Sequence, residues 1–306
     1  MDSGGNKTNQ EEINVPGPST CNPIDDYEAI QIQQDEIEKS IKESGPLVGE
    51  PEPITVLAED FSDHPIYLVK LEQIKQKYSK IRRLRRDGNC FYRGFGFAYL
   101  EYLAKGNRTE EFKKFLSRCD ECKDALLKRG YTDFTVEDFH DQFTTFVKSL
   151  ENNEQALLNL QERFTNSGYS DYFVARLNSV NVDNLFRLCV SSYMQQNEDF
   201  YINFITDDRT VKKFCEMEVE PMGLESDNIH ISALAKALDV PINIENCQLS
   251  GNLNEIYIPG HNDENSDGSP CPSPVTLLYR PGHYDIFDQC GVLSEILRTL
   301  KSQQQQ

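Results

Sequence analysis

Residues 84–97 organise the chain, and they read Leu-Arg-Arg-Asp-Gly-Asn-Cys-Phe-Tyr-Arg-Gly-Phe-Gly-Phe. Asp87, Gly88 and Asn89 are typical of a turn, because glycine takes backbone angles closed to other residues and Asp and Asn favour turns and helix caps. The aromatic residues that follow have helical spacing, so Cys90 is predicted in the first turn of a helix. There the unpaired amides and the helix dipole favour an anion, which predicts a lowered thiol pKa and a place to stabilise an oxyanion.

A second informative stretch, residues 279–287, reads Tyr-Arg-Pro-Gly-His-Tyr-Asp-Ile-Phe. His283 and Asp285 share one face of a predicted strand, with Cα atoms about 6.5 Å apart. That spacing suits a carboxylate that accepts the imidazole Nδ1–H, which leaves Nε2 as a base for a thiol. Together with Cys90 it makes a cysteine hydrolase the leading hypothesis. The alternative reading of Cys90 is a buried structural cysteine.

Composition narrows the class of protein. The 306 residues include 31 basic and 50 acidic ones, for a formal charge of −19, which disfavours a nucleic-acid partner. The sequence contains no apolar run long enough for a membrane span and begins without a signal-peptide pattern, so no membrane partner is expected. Nine cysteines at irregular spacing predict a reducing compartment, the cytosol or the nucleus.

Helical patterns come before strand patterns along the chain, which predicts an α+β fold. Helices are expected over about 65–78, 91–104, 110–128, 135–150, 154–164, 170–195, 209–217 and 231–238, and strands over 241–245, 275–279 and 284–287. The helix at 65–78 should turn Val69 inward, and Thr135 with Asp138 forms a capping-box signature for the helix at 135–150.

Three regions are predicted: an arm, residues 1–50, partly disordered and partly helical; a catalytic domain, residues 51–288, with a mobile insert at 259–274; and a tail, residues 289–306. The arm carries a thin apolar stripe of Tyr27, Ile30, Ile37 and Ile41. Such a stripe needs a surface to pack on, either its own domain or a binding partner.

For several other residues the sequence gives only weak indications of a functional role. Cys119 and Cys122 have redox or zinc spacing, but no second Cys/His pair matches them, so neither metal nor cofactor is expected. Four arginines, Arg82, Arg83, Arg85 and Arg86, are expected on the exposed face of a strand that enters the site. His64, His140 and His230 are read from their positions alone as structural or surface residues, and His261 lies in the predicted mobile insert.

The segments 87–93 and 279–286 resemble the two signature segments of the ovarian-tumour (OTU) cysteine proteases, and specifically of the otubains. The segments 134–140, 209–215, 218–222 and 225–231 match in the same order. Residues 27–48 are similar to the amino-terminal arm that some otubains carry. The resemblance implies an OTU-type, papain-like fold, in which a helical part surrounds a small β-sheet.

The resemblance also implies an activity. An otubain is a deubiquitinase, which hydrolyses the isopeptide bond after the carboxy-terminal glycine of ubiquitin, with preference for 48-linked chains. By motif, Cys90 is the nucleophile, His283 the general base, Asp285 its orienter and Asp87 part of the active-site loop. The backbone amides of Gly88, Asn89 and Cys90 would form the oxyanion hole.

Two ubiquitin sites are implied as well. The distal site would lie near Thr135 and the segment 226–230, with Asn228 and His230, and the proximal site would use Tyr27, Ile30 and Ile37 of the arm. The alternative function is binding and non-catalytic inhibition of ubiquitin-conjugating enzymes. Two residues depart from the family pattern: Arg86 stands where proline is usual, and Asn228 stands where a histidine is common.

Overall fold

The computed structural model describes residues 32–33, 36–37, 39–41, 43–62, 64–106, 108–151, 155–165, 179–261 and 271–288, with backbone alone at 133–135, 165 and 179–182. The chain divides into two units, Met1–Glu43 and Ser44–Gln306. The described arm residues between 32 and 43 are helical. Tyr27, Ile30, most of the predicted insert and the tail 289–306 lie outside the described residues.

Helices dominate the first part of the second unit. They are α1 (Leu57–Asp60), α2 (Pro65–Lys77), α3 (Cys90–Ala104), α4 (Thr109–Lys128), α5 (Asp133–Leu150), α6 (Ala156–Thr165), α7 (Ser179–Gln196), α8 (Glu198–Tyr201), α9 (Val211–Phe214) and α10 (Asn228–Leu238). Short 3₁₀ turns at Ile54–Val56 and Ile202–Phe204 and a π-helix at Cys215–Val219 complete them. Four of the strands follow the helices as predicted, but two short strands, Glu52–Pro53 and Lys80–Arg82, come before the cysteine helix, so the predicted order of helices first and strands last is only partly right.

In the part of the chain that the structure describes, six strands form one sheet in the order β1-β2-β6-β5-β3-β4. They are β1 (Glu52–Pro53), β2 (Lys80–Arg82), β3 (Ile242–Asn246), β4 (Asn254–Ile258), β5 (Val275–Arg280) and β6 (His283–Phe287). Neighbours pair antiparallel, except that β3 and β5 are parallel. The α+β prediction is confirmed, although β1 and β4 were not predicted.

The sheet has a hydrophobic cluster on each face. Successive strand side chains point to opposite faces, so Leu277 joins the large cluster shared with α3, α4, α5 and α7, while Leu278 joins a smaller one beneath α1 and α2. The cysteine helix α3 approaches the sheet closely at Gly94, where an added Cβ would lie 2.9 Å from Leu84 Cδ1 and 3.3 Å from Leu277 Cδ2. Glycine at this position therefore lets α3 seat against the sheet that carries His283.

The helix α2 differs from its predicted orientation. Val69, predicted inward, is 64% exposed, whereas its neighbour Lys70 is buried. The Lys70 ammonium donates hydrogen bonds to the backbone carbonyls of Gln248 and Ser250, in the β3–β4 turn. A charged group can be buried when it finds such partners, and the spacing of apolar residues does not reveal them. Among the described helices, none is both long and apolar enough to cross a membrane.

Candidate active site

Cys90 is the first residue of α3, and the loop before it is fixed by close packing. Gly88 has φ +76°, and an added Cβ there would lie 1.9 Å from the carbonyl oxygen of Gly223. Only glycine can combine this left-handed backbone with such a close approach. The turn predicted from Asp87, Gly88 and Asn89 is therefore present, and it delivers Cys90 to the amino-terminal end of the helix.

His283 opens β6, and the strand places it beside Asp285 as predicted. The imidazole Nε2 lies 2.9 Å from Asp285 Oδ1, whereas Nδ1 has no hydrogen-bond partner among the described residues. The sequence prediction had these nitrogens reversed, because the strand spacing fixes the two residues but not the rotation of the ring. The nitrogen available to take a thiol proton is therefore Nδ1.

Asp285 is completely buried and fully bonded. Its Oδ1 also accepts the Leu84 backbone N–H at 2.9 Å, and its Oδ2 accepts a hydrogen bond from Arg280. Burial by itself would raise the pKa of the Asp285 carboxyl, but the bond from His283, the charges of His283 and Arg280 and the Leu84 amide outweigh it and lower that pKa. The orienting carboxylate is therefore ionised at neutral pH.

The Cys90 thiol contradicts the predicted direction of its pKa. Only 5% of the residue is exposed. Burial is the largest influence and raises the pKa of Cys90 to about 11, although a hydrogen bond with the Tyr284 backbone and the charge of Arg93 act in the lowering direction. Burial disfavours the charged form of any thiol, and here it exceeds the lowering effects of the Tyr284 backbone and Arg93. The resting nucleophile is thus a neutral thiol.

Asp87 holds the active-site loop together. It accepts two hydrogen bonds from Arg93, at 3.0 and 2.7 Å, and one from the Asn89 backbone N–H at 3.0 Å. The prediction that the Asn89 amide serves the oxyanion hole is contradicted in this conformation, since that N–H is already bound to Asp87. The amides of Gly88 and Cys90 remain the candidate oxyanion donors.

A groove runs past the thiol. Two acidic residues, Glu225 and Asp227, form part of its wall, and the carboxylate of Glu225 lies 3.2 Å from the position that a Cβ on Gly282 would occupy. Strand residues, some of them aromatic, line it as well. The lining residues are Gly88, Cys90, Phe91, Glu225, Ser226, Asp227, Asn228, Ile244, Asn246, Gln248, Ile256, Tyr279, Gly282 and Tyr284. Such a groove suits a narrow chain that carries positive charge.

The predicted ubiquitin-contact residues lie in different settings. Asn228 is exposed and lines the groove. His230 is 3% exposed, and its Nδ1 accepts the Asp227 backbone N–H at 3.0 Å to cap α10, so burial lowers its pKa to about 4. Thr135 lies within the first turn of α5, which begins at Asp133, so the predicted capping box is wrong. Ile37 is 51% exposed in the arm.

The remaining candidates have structural roles. Cys119 and Cys122 are buried beside Cys189. The pKa of the Cys122 thiol is raised well above its usual value, mainly by a hydrogen bond with Cys189 and secondly by burial. Within the described residues no cluster of His, Cys, Asp and Glu could hold a metal ion. His140 is buried, 2.7 Å from Asp120.

The arginines at 82–86 were predicted to be exposed, and for two of them this is wrong. Arg82 and Arg85 are buried, the first bonded to Gln161 at 2.7 Å and the second to the Gly45 carbonyl at 2.9 Å. Arg83 is partly buried and donates to Asp60 at 3.0 Å, so of the four only Arg86 is exposed.

Sequence reasoning missed two buried residues of α7, Asp183 and Arg187, which contact the active-site loop through Arg93 and Asn89. No motif surrounds them in the sequence. Their helix was predicted, but nothing in its pattern distinguishes these two polar positions from exposed ones.

A helix-borne thiol, a sheet-borne imidazole and a buried carboxylate that orients the imidazole define a papain-like cysteine hydrolase. The Peptidase C65 Otubain family model matches residues 40–289, and the chain belongs to this otubain family. The predicted family and fold are thereby confirmed.

Named relatives agree with this assignment. The chain is 41% identical to human "Ubiquitin thioesterase OTUB1" over 263 residues, 85% of this chain and 89% of the relative. It is 35% identical to the Arabidopsis thaliana "OVARIAN TUMOR DOMAIN-containing deubiquitinating enzyme 1", over 87% of this chain and 86% of that protein.

Solved structures agree as well. The complex of h/ceOTUB1 with ubiquitin aldehyde and UBCH5B~Ub has a TM-score of 0.72 at 29% identity, covering 87% of this chain and 98% of that one. The corresponding UBC13~Ub complex has a TM-score of 0.73 at 30% identity, over 85% and 97%.

Proposed function

We propose that this otubain is a deubiquitinating thiol isopeptidase that cleaves the bond after the carboxy-terminal glycine of ubiquitin. The observation that carries the proposal is the His283–Asp285 pair next to a groove that contains the Cys90 thiol. Relatives named ubiquitin thioesterase and deubiquitinating enzyme support it. So do solved relatives in complex with ubiquitin aldehyde.

The first half of the reaction forms an acyl-enzyme. His283 Nδ1 accepts the thiol proton of Cys90 as Sγ attacks the carbonyl carbon of the terminal glycine. Asp285 stays ionised because its pKa is lowered, so it stabilises the imidazolium that forms. The amides of Gly88 and Cys90 donate to the oxyanion of the tetrahedral intermediate. His283 then returns the proton to the leaving lysine amine, and the C–N bond breaks.

The second half releases ubiquitin. A water molecule loses a proton to His283 Nδ1 and attacks the thioester carbonyl, after which the C–S bond breaks and Cys90 recovers its proton. The resting thiol is neutral, so substrate has to be in the groove before proton transfer becomes favourable. The two acidic residues of the groove wall, Glu225 and Asp227, favour a positively charged tail such as that of ubiquitin.

We further propose a preference for 48-linked chains, with the arm contacting the proximal ubiquitin. The test is cleavage of 48-linked and 63-linked di-ubiquitin by the full chain, with Cys90→Ser as control. Cleavage of the 48-linked dimer that the serine abolishes is expected. Equal cleavage of both dimers would contradict the linkage preference, and absence of cleavage by the wild type would contradict the enzyme.

The arm offers a matched pair of variants. Ile37 belongs to the apolar stripe and is 51% exposed, whereas Ile32 lies off that stripe and is 61% exposed. Ile37→Glu is expected to raise KM for 48-linked di-ubiquitin about 10-fold, and Ile32→Glu to change it less than about 3-fold. Neither should affect release of a small leaving group from ubiquitin, which needs no proximal site. Equal effects of the two variants would contradict the proposed use of the stripe.

A second function is favoured by the solved relatives bound to UBCH5B~Ub and UBC13~Ub. We propose that the chain also binds ubiquitin-charged conjugating enzymes and inhibits them without catalysis. Full-length Cys90→Ser should therefore slow ubiquitin-chain synthesis by such an enzyme as strongly as the wild type does. Loss of inhibition in that variant would contradict a non-catalytic mode.

We propose a cytosolic or nuclear location, which seven free cysteines among the described residues support. Imaging of the fluorescently tagged full chain tests it. Accumulation in a secretory compartment would contradict it.

A further inference from the structure

Two buried ionisable residues lie one turn apart on α7, beneath the active-site loop. Asp183 is completely buried and Arg187 is 1% exposed. Residues at positions i and i+4 share one face of a helix, and this face meets the start of α3. The catalytic steps described above use neither residue, yet burying charged groups is costly unless their bonds serve the structure or the site.

Arg187 joins two separate segments of the site. Its guanidinium donates to Asn89 Oδ1 at 2.8 Å and to the Gly88 carbonyl at 3.2 Å, both next to the nucleophile. It also donates to the carbonyls of Val219 and Leu224, at 2.9 and 2.7 Å. Leu224 directly precedes the acidic wall of the groove, so one side chain bridges the nucleophile loop and the substrate groove.

The same junction is closed by further contacts. The Gly223 backbone N–H donates to Asn89 Oδ1 at 2.9 Å, so this amide oxygen receives bonds from both sides. The Arg187 guanidinium also lies over the ring of Tyr92, with Cζ 4.5 Å from its centroid. These contacts leave the loop little freedom to move relative to the groove wall.

Asp183 acts on the other side of the loop. Its Oδ2 accepts a hydrogen bond from Arg93 Nη2 at 3.2 Å, and the same Nη2 donates to Asp87 Oδ2 at 2.7 Å. Asp183 therefore fixes the guanidinium that holds Asp87, and Asp87 in turn holds the Asn89 backbone. Arg93 is also one of the charges that lower the pKa of Cys90 against the effect of burial.

We propose that Arg187 and Asp183 are positioning residues of the cleavage reaction: Arg187 fixes the nucleophile loop against the groove wall, and Asp183 fixes Arg93 and Asp87 behind Cys90. The inference rests on the proposed isopeptidase function. It extends that function to a helix that contributes no group to the chemistry. Because Arg187 bridges both segments, its loss affects the reaction of bound substrate as well as substrate binding.

The chain offers a matched control for Arg187. Arg82 is also a buried arginine, bonded to Gln161, Glu101 and the Gly49 carbonyl at 2.7, 3.2 and 3.3 Å and lying 4.9 Å from the ring centroid of Phe97. None of these partners lies in the active-site loop. Arg187→Gln and Arg82→Gln therefore remove similar interactions, but only the first touches the site.

The experiment measures kcat and KM of the full chain on 48-linked di-ubiquitin, together with the rate of Cys90 alkylation by iodoacetamide. Arg187→Gln is expected to lower kcat about 30-fold and kcat/KM about 100-fold, since misplacement of about 1 Å costs such factors. Arg187→Lys should recover part of the loss, and Arg82→Gln should stay within about 3-fold of wild type. Urea unfolding shows whether each variant is folded.

Asp183→Asn provides a second, milder test. Its control is Glu245→Gln, which removes a buried carboxylate outside the loop, where Glu245 accepts a hydrogen bond from Lys77 at 2.6 Å. About a 5-fold loss of kcat with unchanged KM is expected for Asp183→Asn. If Arg187→Gln does not fold, the kcat and KM of Arg187→Lys and Asp183→Asn test the proposed positioning roles instead.

Two outcomes separate the inference from the function on which it rests. Folded variants of Arg187 and Asp183 with wild-type kcat and KM would overturn the inference while leaving the isopeptidase intact. A wild-type chain that cleaves no ubiquitin substrate would overturn the proposed function. In that case, the rate of Cys90 alkylation in Arg187→Gln, compared with the rate in Arg82→Gln, would still decide whether α7 positions the loop.

Discussion

His283 and Cys90 belong to one site but are held in different ways. The base half, formed by His283, Asp285 and Arg280, consists of buried groups joined by charge-assisted hydrogen bonds. The nucleophile half, formed by the segment 87–90, has a rigid backbone but a thiol whose pKa burial raises to about 11. Asp285 is ionised and bonded in the resting state, so it costs no reorganisation during the reaction, whereas the thiol still has to lose its proton.

This difference shows where substrate has to act. The bonds of Asp285 are made before substrate arrives, so the carboxylate already orients the ring and is ready to stabilise an imidazolium. The thiol has to become a thiolate within a buried environment, which favours its neutral form. We expect substrate in the groove to change this environment, so that proton transfer from Cys90 to His283 becomes favourable.

The largest expected effect comes from removal of the base. His283→Gln should lower kcat for 48-linked di-ubiquitin by about 10³-fold or more, because the variant loses the imidazole that takes the thiol proton. His261→Gln is the control, since this residue is exposed and lies three residues after the end of β4. A His283→Gln enzyme within 10-fold of wild type would show that the base half is wrongly assigned.

The next effect separates orientation from charge in the base half. Asp285→Ala leaves His283 Nε2, the Leu84 amide and Arg280 without their shared partner, and about a 100-fold loss of kcat is expected. Asp285→Asn keeps an oxygen that can accept from both His283 and Leu84, so a loss of about 10-fold is expected. Steady-state cleavage of di-ubiquitin measures both. An asparagine variant as impaired as the alanine variant would contradict the Oδ1 geometry.

The nucleophile half is tested through its backbone. Gly88→Ala should destabilise the fold by at least about 2 kcal/mol and reduce cleavage strongly, because a left-handed alanine costs about 1–2 kcal/mol and its Cβ overlaps the Gly223 carbonyl. Gly130→Ala has the same backbone cost with φ +82° but no atom within 4 Å of the added Cβ. Urea unfolding should show a smaller decrease in the free energy of unfolding for Gly130→Ala than for Gly88→Ala, and Gly130→Ala should retain cleavage. Equal decreases in the two variants would mean that the loop can move away from Gly223.

The smallest effect concerns His230, which caps the start of α10. The folded pKa of His230 is about 4, below its unfolded value of 6.5, so the folded state favours the neutral ring. The stability that depends on the neutral ring is complete above pH 6.5 and is lost as pH falls toward 4, by about 2 kcal/mol between pH 7 and pH 5.

Urea unfolding at these two pH values measures this loss. His230→Gln keeps an acceptor at the capping position without a titrating group, so its loss over the same interval should be smaller by about that amount. An unchanged pH dependence in the glutamine variant would show that His230 does not cause it.

Much of this architecture follows from local sequence. Gly88 predicts its turn because of its backbone requirement, and alternation along β6 places His283 beside Asp285. What the sequence did not predict depends on partners distant in the chain. Leu84 and Arg280 hold the Asp285 carboxylate in place, and its Oδ1 then sets the orientation of the His283 ring. The depth at which Cys90 is buried cannot be predicted from the local sequence pattern, and this burial reverses the expected shift of its pKa. The roles of Asp183 and Arg187 depend on the position of α7 beneath the loop, which the sequence does not predict.

The most direct test of the central claim is the pH dependence of Cys90 alkylation by iodoacetamide in the resting enzyme, followed on the peptide that contains Cys90. A neutral, buried thiol predicts a rate below that of free cysteine at pH 7, which rises with pH without a plateau below about pH 9. A rate that levels off near neutral pH, with an inflection between about pH 5 and 7, would reveal a thiolate already formed in the resting site. That result would contradict the contrast between the two halves of the site.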